Sequence, residues 1–302
     1  MNDLTIASGT SLSLPTISGA TKVCGLIGDP IEHSLSPAIH NAAFRSLDID
    51  FVYVPFRVRR GELAEAIGGI RSLGVLGVNV TMPHKTDVLR FLDMIDRTAR
   101  EIGAVNTIVR NDGRLQGCNT DGQAALASLA NLRSSLSGST AVILGAGGAA
   151  RAIAYHLSKM VEELAILNRT RSKASRITAK IRMWSGTRTS CRSQGLNRAS
   201  LRKEVSRASL LVNTLPVHVF PRFGKILVQE KLVGRGMTIL DVNYQRENEF
   251  LAEAQLAGAK VADGLDMLVR QAALSFRLWT GRDAPIDVMR GAAIQARATS
   301  SR

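Results

Sequence analysis

The clearest candidate for chemistry in the sequence is a glycine-rich turn, GAGGAA, at residues 145–150. It follows an apolar segment at 141–144 and precedes an alanine-rich segment with helical character. Gly145, Gly147 and Ala150 have the spacing GxGxxA. In such a unit the first glycine permits a tight turn, the second lets the backbone approach a pyrophosphate, and the small third residue allows close helix packing. The order strand, turn, helix therefore predicts a dinucleotide-binding unit rather than an isolated turn.

The next apolar segment, ELAILN at residues 163–168, indicates which dinucleotide is bound. A unit that binds NAD places Asp or Glu near the end of this strand to receive the ribose hydroxyls. This chain has Asn168, Arg169, Thr170 and Arg171 there instead. A carboxylate repels a 2′-phosphate, whereas a guanidinium pairs with it through two hydrogen bonds. The sequence thus predicts NADP(H) as the cofactor.

A second candidate is Lys85, the last residue of NVTMPHK at 79–85. The apolar residues before this segment predict a buried strand, and leucine and isoleucine at helical spacing in KTDVLRFLDMI predict a helix after it. Lys85 is therefore predicted to lie in the first turn of a helix, where the macrodipole disfavours a cation. Helix stability does not account for this lysine, which makes it a candidate functional residue.

A third candidate is Asp121, in the segment NTD at 119–121. RNDGR at 110–114 is a hairpin signal that joins two strand-like segments, AVNTIV and LQGCN. The hairpin delivers Asp121 to the start of the next helix, where an aspartate is a favoured N-cap. Capping alone is an adequate explanation for one aspartate at this position.

The remaining apolar segments predict two α/β regions. Before the glycine-rich turn, strand-like segments alternate with helical patterns: KVCGLIG (22–28), DFVYVPF (50–56), GVNVT (77–81) and AVNTIV (104–109). After it, further buried strands are predicted at SLLVNTLP (209–216), MTILDVNY (237–244) and AKVADGL (259–265). The predicted fold is α/β, with an N-terminal α/β domain and a Rossmann-type, doubly wound dinucleotide-binding domain with a mostly parallel sheet.

Composition places the chain among soluble globular proteins. Its 302 residues are 45% apolar and 21% charged, which suffices for the cores of two domains. The longest apolar stretches are interrupted well before the ~18–20 residues of a membrane-spanning helix. Residues 1–20 lack a basic region followed by a sustained apolar core, so they predict a polar arm rather than a signal peptide. We expect a cytoplasmic protein with no membrane partner.

The charge of the chain is concentrated in one segment. The net charge is +14, and residues 168–210 hold nine Arg and three Lys against a single acid, Glu204, so +11 lies there. This permits binding of nucleic acid or of phosphorylated ligands. Trp184 is the only aromatic residue of the segment, which argues against a stacking surface for bases. We interpret the segment as a solvated basic face.

The cysteines and histidines do not predict a metal site. Cys24, Cys118 and Cys191 are far apart, odd in number, and lack partners at ligand spacing. They indicate neither a zinc site nor a disulfide framework.

Seven polar segments together resemble the shikimate dehydrogenase family. They occur in that family's order and span nearly the whole chain after residue 21: GDPIEHSLSPAIHNAAF (28–44), NVTMPHK (79–85), GAVNT (103–107), NTDG (119–122), GAGGAARA (145–152), NRT (168–170) and GLDMLVRQA (264–272). The resemblance implies an NADP-dependent reduction of 3-dehydroshikimate to shikimate, in chorismate and aromatic amino-acid biosynthesis. It also implies that Lys85 is the proton donor and acceptor and that Asp121 faces it across the substrate.

The resemblance assigns further residues to substrate and cofactor. Substrate-binding residues by this analogy are Ser34 and Ser36 for the ring carboxylate, Asn79, Thr81, Asn106 and Gln271 for ring hydroxyls, and Tyr244 near the substrate and nicotinamide. Cofactor residues are Gly145, Ala146, Gly147, Gly148 and Ala149 at the pyrophosphate, Asn168, Arg169, Thr170 and Lys173 at the 2′-phosphate, and Gly264 and Met267 at the nicotinamide. The alternative for the serines is helix capping, and for Asn79 and Thr81 a strand end. The five histidines match no catalytic position in the family: His33, His40, His84, His156 and His218.

The implied organisation has three parts. Residues 1–20 form the polar arm, 21–123 form the substrate domain, completed by C-terminal helices at 265–302, and 124–264 form the NADP-binding domain. The helices at 267–294 are expected to pack on the first domain through Met267, Leu268, Ala272, Leu278 and Trp279. A small-molecule substrate is implied, and both a monomer and a homodimer remain open.

Three departures from the family pattern leave alternatives open. Gln123-Ala124-Ala125 replaces an aromatic-containing segment, VNTLPVHVF at 212–220 lacks a customary glycine, and no proline follows Tyr244. Quinate or aminoshikimate dehydrogenases would share Lys85 and Asp121, so substrate preference stays open. Glutamyl-tRNA reductase is disfavoured because no cysteine is placed as a nucleophile. A non-catalytic NADP or polyanion binder is the alternative from outside the enzymes.

Overall fold

A computed structural model describes residues 17–184, 189–244 and 248–299 of the chain. Three sequence-based predictions fall partly outside the described residues: the polar arm at 1–20, the basic segment around 185–188, and the missing proline at 245–247.

The first part of the chain builds a mixed six-stranded sheet. Its elements are β1 (Lys22–Gly28), α1 (Ser36–Ser46), β2 (Phe51–Arg57), α2 (Leu63–Ser72), β3 (Gly77–Val80), β4 (Met94–Ile95), α3 (Arg97–Ile102), β5 (Thr107–Asn111) and β6 (Arg114–Cys118). The strand order is β2-β1-β3-β5-β6-β4. β1, β2 and β3 are parallel, and β5 and β6 form the predicted antiparallel hairpin. Asp112 and Gly113 at its turn have φ of 48° and 77°, which favours Asp and Gly there.

The second part builds a parallel sheet. Its elements are α4 (Asp121–Ala130), β7 (Thr140–Leu144), α5 (Gly148–Leu157), β8 (Glu163–Asn168), α6 (Arg171–Ile181), β9 (Ser190–Gly195), α7 (Arg198–Val205), β10 (Leu210–Asn213), α8 (Phe220–Gln229), β11 (Thr238–Asp241), α9 (Glu249–Leu256) and β12 (Lys260–Ala262). The strand order is β12-β11-β10-β7-β8-β9. All its pairings are parallel.

Helices cover both faces of this second sheet. Along β7, Ala141 and Ile143 belong to one apolar cluster, which includes residues of α5 and α6. Val142 and Leu144 belong to another, which includes residues of α7, α8 and α9. The central strands β7, β8, β10 and β11 are buried on both faces, so their sequences read as continuous apolar runs rather than as alternating patterns. The fold is therefore the doubly wound type that the sequence predicts.

The chain order along the second sheet reverses between β7 and β10, because β8 and β9 lie on one side of β7 and β10 to β12 on the other. The loops that leave β7 and β10 diverge at this point and open a crevice at the carboxyl ends of the strands. The β7 loop is the glycine-rich turn, so the predicted dinucleotide-binding motif lies at the topological switch point.

Two final helices, α10 (Gly264–Thr280) and α11 (Ile286–Thr299), complete the core of the first sheet. Residues from both helices share a buried cluster with residues of β1, α1 and β2: Val269, Ala272, Phe276, Trp279, Met289 and Ala293. The indole N–H of Trp279 donates to the carbonyl of Ile108 at 3.0 Å. Among the described residues, neither these helices nor any other is long and apolar enough to cross a membrane.

Two of the residues expected to pack on the first domain lie outside the apolar cluster that α10 and α11 share with β1, α1 and β2. Leu278 is 43% exposed. Met267 is buried in the cluster of the second sheet instead. Met267 lies in the first turn of α10, close to the strand from which the chain departs, and the helix reaches the first sheet only further along. The helical period alone does not reveal this change of partner.

The basic segment forms an edge strand and a helix rather than a uniformly free face. Strand β9 pairs with β8 at the edge of the second sheet. Arg192 contacts Glu163 at 2.7 Å, and Arg207 contacts the fully buried Glu204 at 2.9 Å. Arg198 and Arg202 both pair with Glu230. Arg198, Arg202 and Arg207 are exposed, as expected for a solvated basic face, although Glu163, Glu204 and Glu230 partly neutralise the charge of the segment.

Candidate active site

Lys85 lies in a turn that follows β3, not in the first turn of an α-helix. The short helix after it is a 3₁₀ helix at Asp87–Phe91, and the chain then enters β4. The carboxylate of Asp93 accepts from the backbone N–H of Leu115 at 2.7 Å and pairs with Arg71 at 2.7 Å. These contacts hold the chain beside β6 and end the helix early. The helix predicted for KTDVLRFLDMI is therefore wrong, because strand pairing overrides the helical period.

The backbone around Lys85 is fixed on both sides. The carbonyl of Lys85 accepts from the N–H of Val105 at 2.8 Å. The preceding residue, His84, is fully buried, and its Nε2 lies 2.7 Å from the carbonyl of Val58. Only the side chain of Lys85 is therefore left to reach into the cleft.

Asp121 is the first residue of α4, and its carboxylate does not cap the helix. The N-cap is Thr120, which makes no side-chain capping bond. The N–H of Asp121 is satisfied by Oδ1 of Asn119 at 3.1 Å. The capping interpretation is wrong, because the Asp121 carboxylate turns away from the helix end toward Asn106 and Lys85. This leaves the aspartate without a local structural explanation.

Lys85 and Asp121 form a partly buried ion pair. Nζ of Lys85 lies 2.6 Å from Oδ2 of Asp121, and the two side chains are 20% and 5% exposed. Oδ1 of Asp121 accepts from Nδ2 of Asn106 at 2.8 Å. The carboxylate is thereby oriented by one amide while it holds the ammonium group. Removing either partner would leave a poorly compensated, partly buried charge.

Asn106 connects the ion pair to α10. Its Nδ2 faces three acceptors, Oδ1 of Asp121 and Oγ1 of Thr120 at 2.8 Å each and Oε1 of Gln271 at 3.3 Å. Its Oδ1 accepts from the N–H of Thr120 at 2.8 Å. An amide carries two hydrogens, so the three acceptors compete for them. Nε2 of Gln271 makes no hydrogen bond to any other described residue, and it can therefore donate to a ligand.

The side chain of Asn79 makes several hydrogen bonds within the protein, which its position in the sequence does not reveal. Its Oδ1 accepts from the hydroxyl of Tyr53 at 2.8 Å, and its Nδ2 lies 2.9 Å from Oγ of Ser275 and 3.2 Å from Oγ1 of Thr107. Tyr53, Thr107 and Ser275 were not identified from the sequence. One signal was present, since Ser275 follows Gln271 by four residues and so shares its helix face.

The serines lie before and at the start of α1, after the end of β1. Ser36 is the first residue of α1 and is buried, and Ser34 is half-buried. Oγ of Ser34 accepts from the N–H of Ser36 at 3.3 Å, but the helix has no side-chain cap. Thr81, half-buried, follows the parallel neighbour strand β3, and its methyl group lies against Gly28. These three hydroxyls therefore follow the carboxyl ends of two adjacent strands.

Tyr244 reaches from the second sheet to the first. It follows β11 and packs against the apolar cluster that contains Cys24 and Tyr53. Burial raises the pKa of the Tyr244 hydroxyl above its usual value. This phenol therefore stays protonated at neutral pH and is able to donate a hydrogen bond.

The glycine-rich loop has the geometry of a phosphate cradle. Gly145 has φ of 112°, and a Cβ on it would lie 2.3 Å from Oγ1 of Thr214 in the β10 loop, so only glycine fits. A Cβ on Gly147 would meet no protein atom within 4 Å. Helix α5 begins at Gly148 with no side-chain cap, which leaves its first N–H groups available to an anion. Ala150 is fully buried, as close helix packing requires.

The residues after β8 fit a further phosphate group. Arg169, Thr170 and Lys173 are exposed, and Asn168 is half-buried and donates to the carbonyl of Thr170 at 3.0 Å. Arg169 and Lys173 have no acid partner within the described ranges. Two unpaired cations beside the carboxyl end of β8 suit a 2′-phosphate and would leave a 2′-hydroxyl without an acceptor.

The start of α10 closes the far side of the crevice. A Cβ on Gly264 would lie 2.1 Å from the carbonyl oxygen of Val242, so the helix start is pressed against the loop after β11. Asp263 caps the helix by accepting from the N–H of Leu265 at 3.1 Å. Met267 is in the same buried cluster as Ala146 and Leu240, so only a small part of its surface faces the crevice.

Family models match most of the chain in three segments. The shikimate dehydrogenase substrate binding domain matches residues 26–108. The model described as shikimate / quinate 5-dehydrogenase matches residues 127–193. The shikimate 5′-dehydrogenase C-terminal domain matches residues 264–294.

Individual relatives match at nearly full length. A shikimate dehydrogenase (NADP(+)) from Methanothermobacter thermautotrophicus is 44% identical over 91% of this chain and 97% of its own. A crystal structure of a shikimate dehydrogenase in complex with NADP+ has a TM-score of 0.81 and 38% identity, and covers 93% of this chain and 97% of that one. A Thermus thermophilus shikimate 5-dehydrogenase, solved with NADP(H) and shikimate, has a TM-score of 0.76 and 32% identity, and covers 91% of this chain and 99% of that one.

Proposed function

Because the chain belongs to the shikimate dehydrogenase family, we propose that it is an NADP-dependent oxidoreductase that interconverts 3-dehydroshikimate and shikimate. This reaction serves chorismate and aromatic amino-acid biosynthesis. The observation that carries the proposal is the 2.6 Å contact between Nζ of Lys85 and Oδ2 of Asp121 beside the dinucleotide crevice.

Lys85 supplies the proton for the reaction. The glycine-rich loop and the residues after β8 would hold NADPH, which would supply the hydride that the ring carbonyl carbon accepts. The ammonium group of Lys85 stabilises the negative charge that develops on the carbonyl oxygen and then transfers a proton to it. The oxygen becomes the hydroxyl of shikimate, and the lysine is left neutral. In the oxidative direction the neutral amine takes the hydroxyl proton back.

Asp121 orients the lysine and balances its charge. Its two oxygens have separate partners, since Oδ2 holds Lys85 and Oδ1 accepts from Asn106. The carboxylate therefore cannot turn without losing one of these hydrogen bonds. A positioned proton-transfer group contributes more than a mobile one, because the reacting atoms must meet in one geometry.

Hydroxyls and amides along the cleft hold the substrate. Ser34 and Ser36 take the ring carboxylate in this proposal, and Thr81, Asn106, Gln271 and Tyr244 take ring oxygens. The free Nε2 of Gln271 and the protonated phenol of Tyr244 support this assignment. The amide of Asn79 is largely engaged with Tyr53 and Ser275, so Asn79 contributes to substrate binding by fixing the positions of these two side chains.

The residues present fit NADP. Gly145, Ala146, Gly147, Gly148 and Ala149 receive the pyrophosphate on the loop and helix start, and Asn168, Arg169, Thr170 and Lys173 receive the 2′-phosphate. Gly264 and Met267 border the nicotinamide side. The absence of an acid after β8 and the two unpaired cations there support NADP over NAD.

The organisation proposed for the chain follows its two sheets. Residues 21–123 with 265–302 form the substrate domain, and 124–264 form the NADP-binding domain. The exposed position of Arg169 and Lys173 agrees with a role of these two residues in cofactor binding. A cytoplasmic protein, monomeric or homodimeric, remains our prediction from the sequence.

Quinate is the second candidate substrate, because one matching family model covers shikimate and quinate dehydrogenases together. The test is an assay of the purified full chain with shikimate and with quinate, each with NADP+ and with NAD+, followed by the absorbance of the reduced cofactor. We expect shikimate with NADP+ to give the highest kcat/KM. Preference for quinate would change the substrate, and NADP+ binding without turnover of either acid would favour a non-catalytic binder.

A further inference from the structure

The three glycines of the β7–α5 loop meet different surroundings. Gly145 is required by its positive φ and by Thr214, and Gly147 faces open space in the crevice. Gly148 is different, because a Cβ on it would lie 2.9 Å from both Cβ and Cδ of Lys85 and 3.4 Å from its Cγ. The nearest neighbour of this glycine is therefore the stem of the lysine.

The lysine stem has little freedom to move away from Gly148. At one end, the backbone carbonyl of Lys85 is held by Val105 at 2.8 Å. At the other end, Nζ is held by Asp121 at 2.6 Å. The contact lies between these two attachments and includes Cβ, which moves only with the backbone. Real Cβ atoms do not approach other carbons as closely as 2.9 Å, so a side chain at Gly148 must displace something.

We propose that Gly148 is a positioning residue for the reaction, because the space left by its missing side chain holds the stem of Lys85 against the first turn of α5. The loop that carries the cofactor thereby sets the place of the amine that transfers the proton. This inference rests on the proposed function. Gly148 would then have two roles: its backbone receives the pyrophosphate, and its lack of a side chain leaves room for the stem of Lys85.

A methyl group at Gly148 can be accommodated in two ways. The loop can withdraw from Lys85, which widens the distance between cofactor and amine, or Lys85 can leave Asp121. Either change misplaces the reacting groups, and a displacement near 1 Å is able to cost roughly a hundredfold in rate. Folding is not threatened, because alanine is a better helix former than glycine and the crowding is confined to the cleft.

The test is the variant Gly148→Ala in the full chain. We expect kcat for shikimate oxidation to fall by roughly tenfold to a hundredfold. The dissociation constant of NADP+, measured by titration calorimetry, and the melting temperature should stay close to those of the parent. A second readout is independent of turnover: acetylation of Lys85 by acetic anhydride, quantified by peptide mass spectrometry against the exposed Lys225. Lys85 should react faster in the variant, because withdrawal of the loop uncovers its side chain and loss of its contact with Asp121 frees its amine.

Two matched variants accompany it. Gly147→Ala places a methyl group in open space on the cofactor side, so it should weaken NADP+ binding and leave the acetylation of Lys85 unchanged. Gly68→Ala, at an exposed site in α2 where a Cβ meets nothing within 4 Å, should leave kcat, the dissociation constant of NADP+ and the acetylation of Lys85 unchanged and should raise only the melting temperature.

The outcomes separate this inference from the proposed function. If Gly148→Ala weakens NADP+ binding but keeps kcat and the acetylation rate of Lys85, the inference is overturned and Gly148 serves only the approach of the cofactor. Parental values in every readout also overturn it. If the parent chain does not oxidise shikimate, the proposed function fails, and the acetylation rates alone then decide whether Gly148 positions Lys85.

Discussion

Gln271 of α10 and Asn106, in the segment before β5, meet through their side chains although 165 residues separate them in sequence. Nδ2 of Asn106 lies 3.3 Å from Oε1 of Gln271. This contact places the amide nitrogen of Gln271 beside the Lys85–Asp121 ion pair and leaves both of its hydrogens without a partner among the described residues. The longest helix among the described residues, α10, thus completes a site whose other parts come from the first half of the chain.

We predict that Gln271→Ala raises KM for shikimate by roughly tenfold and changes kcat little. The lost amide would bind a ring oxygen equally in the ground state and the transition state, and such uniform binding appears in KM. Steady-state kinetics at saturating NADP+ measure both constants. Gln295→Ala, which removes an exposed amide from α11, is the control and should have parental constants. A fall in kcat with constant KM would contradict the assignment.

Replacing Lys85 should abolish proton transfer while sparing the cofactor. Lys85→Met keeps most of the stem that lies against Gly148 but removes the amine, and we expect kcat to fall by ~10²–10⁴. The kcat of Lys85→Ala should fall by at least as much. NADP+ affinity should remain parental in both, because the glycine loop and Arg169 are intact.

The control for Lys85 is Lys225→Ala, an exposed lysine in α8. If Lys85 were only a solvated turn residue, its replacement would change the free energy of unfolding by at most about 0.5 kcal/mol and would leave kcat unchanged. Thermal melting alongside kinetics distinguishes these cases. Unchanged turnover in Lys85→Met would end the proposed mechanism.

Asp121→Asn should also slow turnover, by less than the loss of Lys85. The amide preserves the shape of the carboxylate, and its oxygen can still accept from Asn106 or face Lys85, but the charge that holds the ammonium group is lost. The acetylation rate of Lys85 should rise in this variant. Parental kcat together with a parental acetylation rate would show that the ion pair does not position the lysine.

Arg169→Ala should raise KM for NADP+ far more than KM for NAD+. A bidentate, charge-assisted pair with a phosphate is worth ~1.5–3 kcal/mol, or roughly tenfold to a hundredfold in affinity. Arg222→Ala removes another exposed arginine, from α8, and should change neither constant. Equal use of NADP+ and NAD+ by the parent chain would refute the predicted recognition of the 2′-phosphate.

His40 should make the folded protein sensitive to mild acid. It is fully buried and stacks on Tyr53 with ring centroids 4.4 Å apart, and burial lowers its pKa to about 3. In the unfolded chain its pKa is about 6.5, so below that pH the unfolded state binds a proton that the folded state does not. The free energy of unfolding should therefore fall by about 1.4 kcal/mol per pH unit from this residue as pH drops through this range.

The measurement for His40 is urea unfolding between about pH 6.5 and 5, above the range in which most carboxylates titrate. His40→Phe should show a shallower pH dependence than the parent. Burial also lowers the pKa of His156, but His156 is present in both proteins, so its contribution cancels when their pH dependences are compared. His33→Gln, at an exposed site, should keep the parental slope. An identical slope in His40→Phe would show that His40 titrates normally.

The dinucleotide-binding unit was predictable because its signals are local. β7, the glycine turn and α5 are consecutive, and the missing acid after β8 follows from the same unit. Positive φ at Gly145 and complete burial of Ala150 are the physical requirements that the motif encodes. A short segment that specifies its own geometry can be read without knowledge of the rest of the chain.

The setting of Lys85 and Asp121 was not predictable in the same way. The helix expected after Lys85 gives way to a 3₁₀ turn because Asp93 is held by Arg71 and Leu115, which are distant in sequence. Asp121 has the sequence position of an N-cap, yet its carboxylate is turned toward Asn106 and Lys85. Both arrangements depend on contacts between segments that are distant in sequence, and a local hydrophobic period does not report such contacts.

The completion of the first core by α10 and α11 reverses the order in which the two halves of the molecule can become stable during synthesis. Strands β1 to β6 leave the ribosome first, but their core lacks Phe276, Trp279 and Met289 until the final helices emerge. The second sheet has consecutive elements and holds nearly all of its own core by the end of β12. We therefore expect the NADP-binding half to fold first. The N-terminal half should stay unfolded or incomplete until then, with apolar surface exposed. This order is the opposite of the usual one, in which the N-terminal domain folds first.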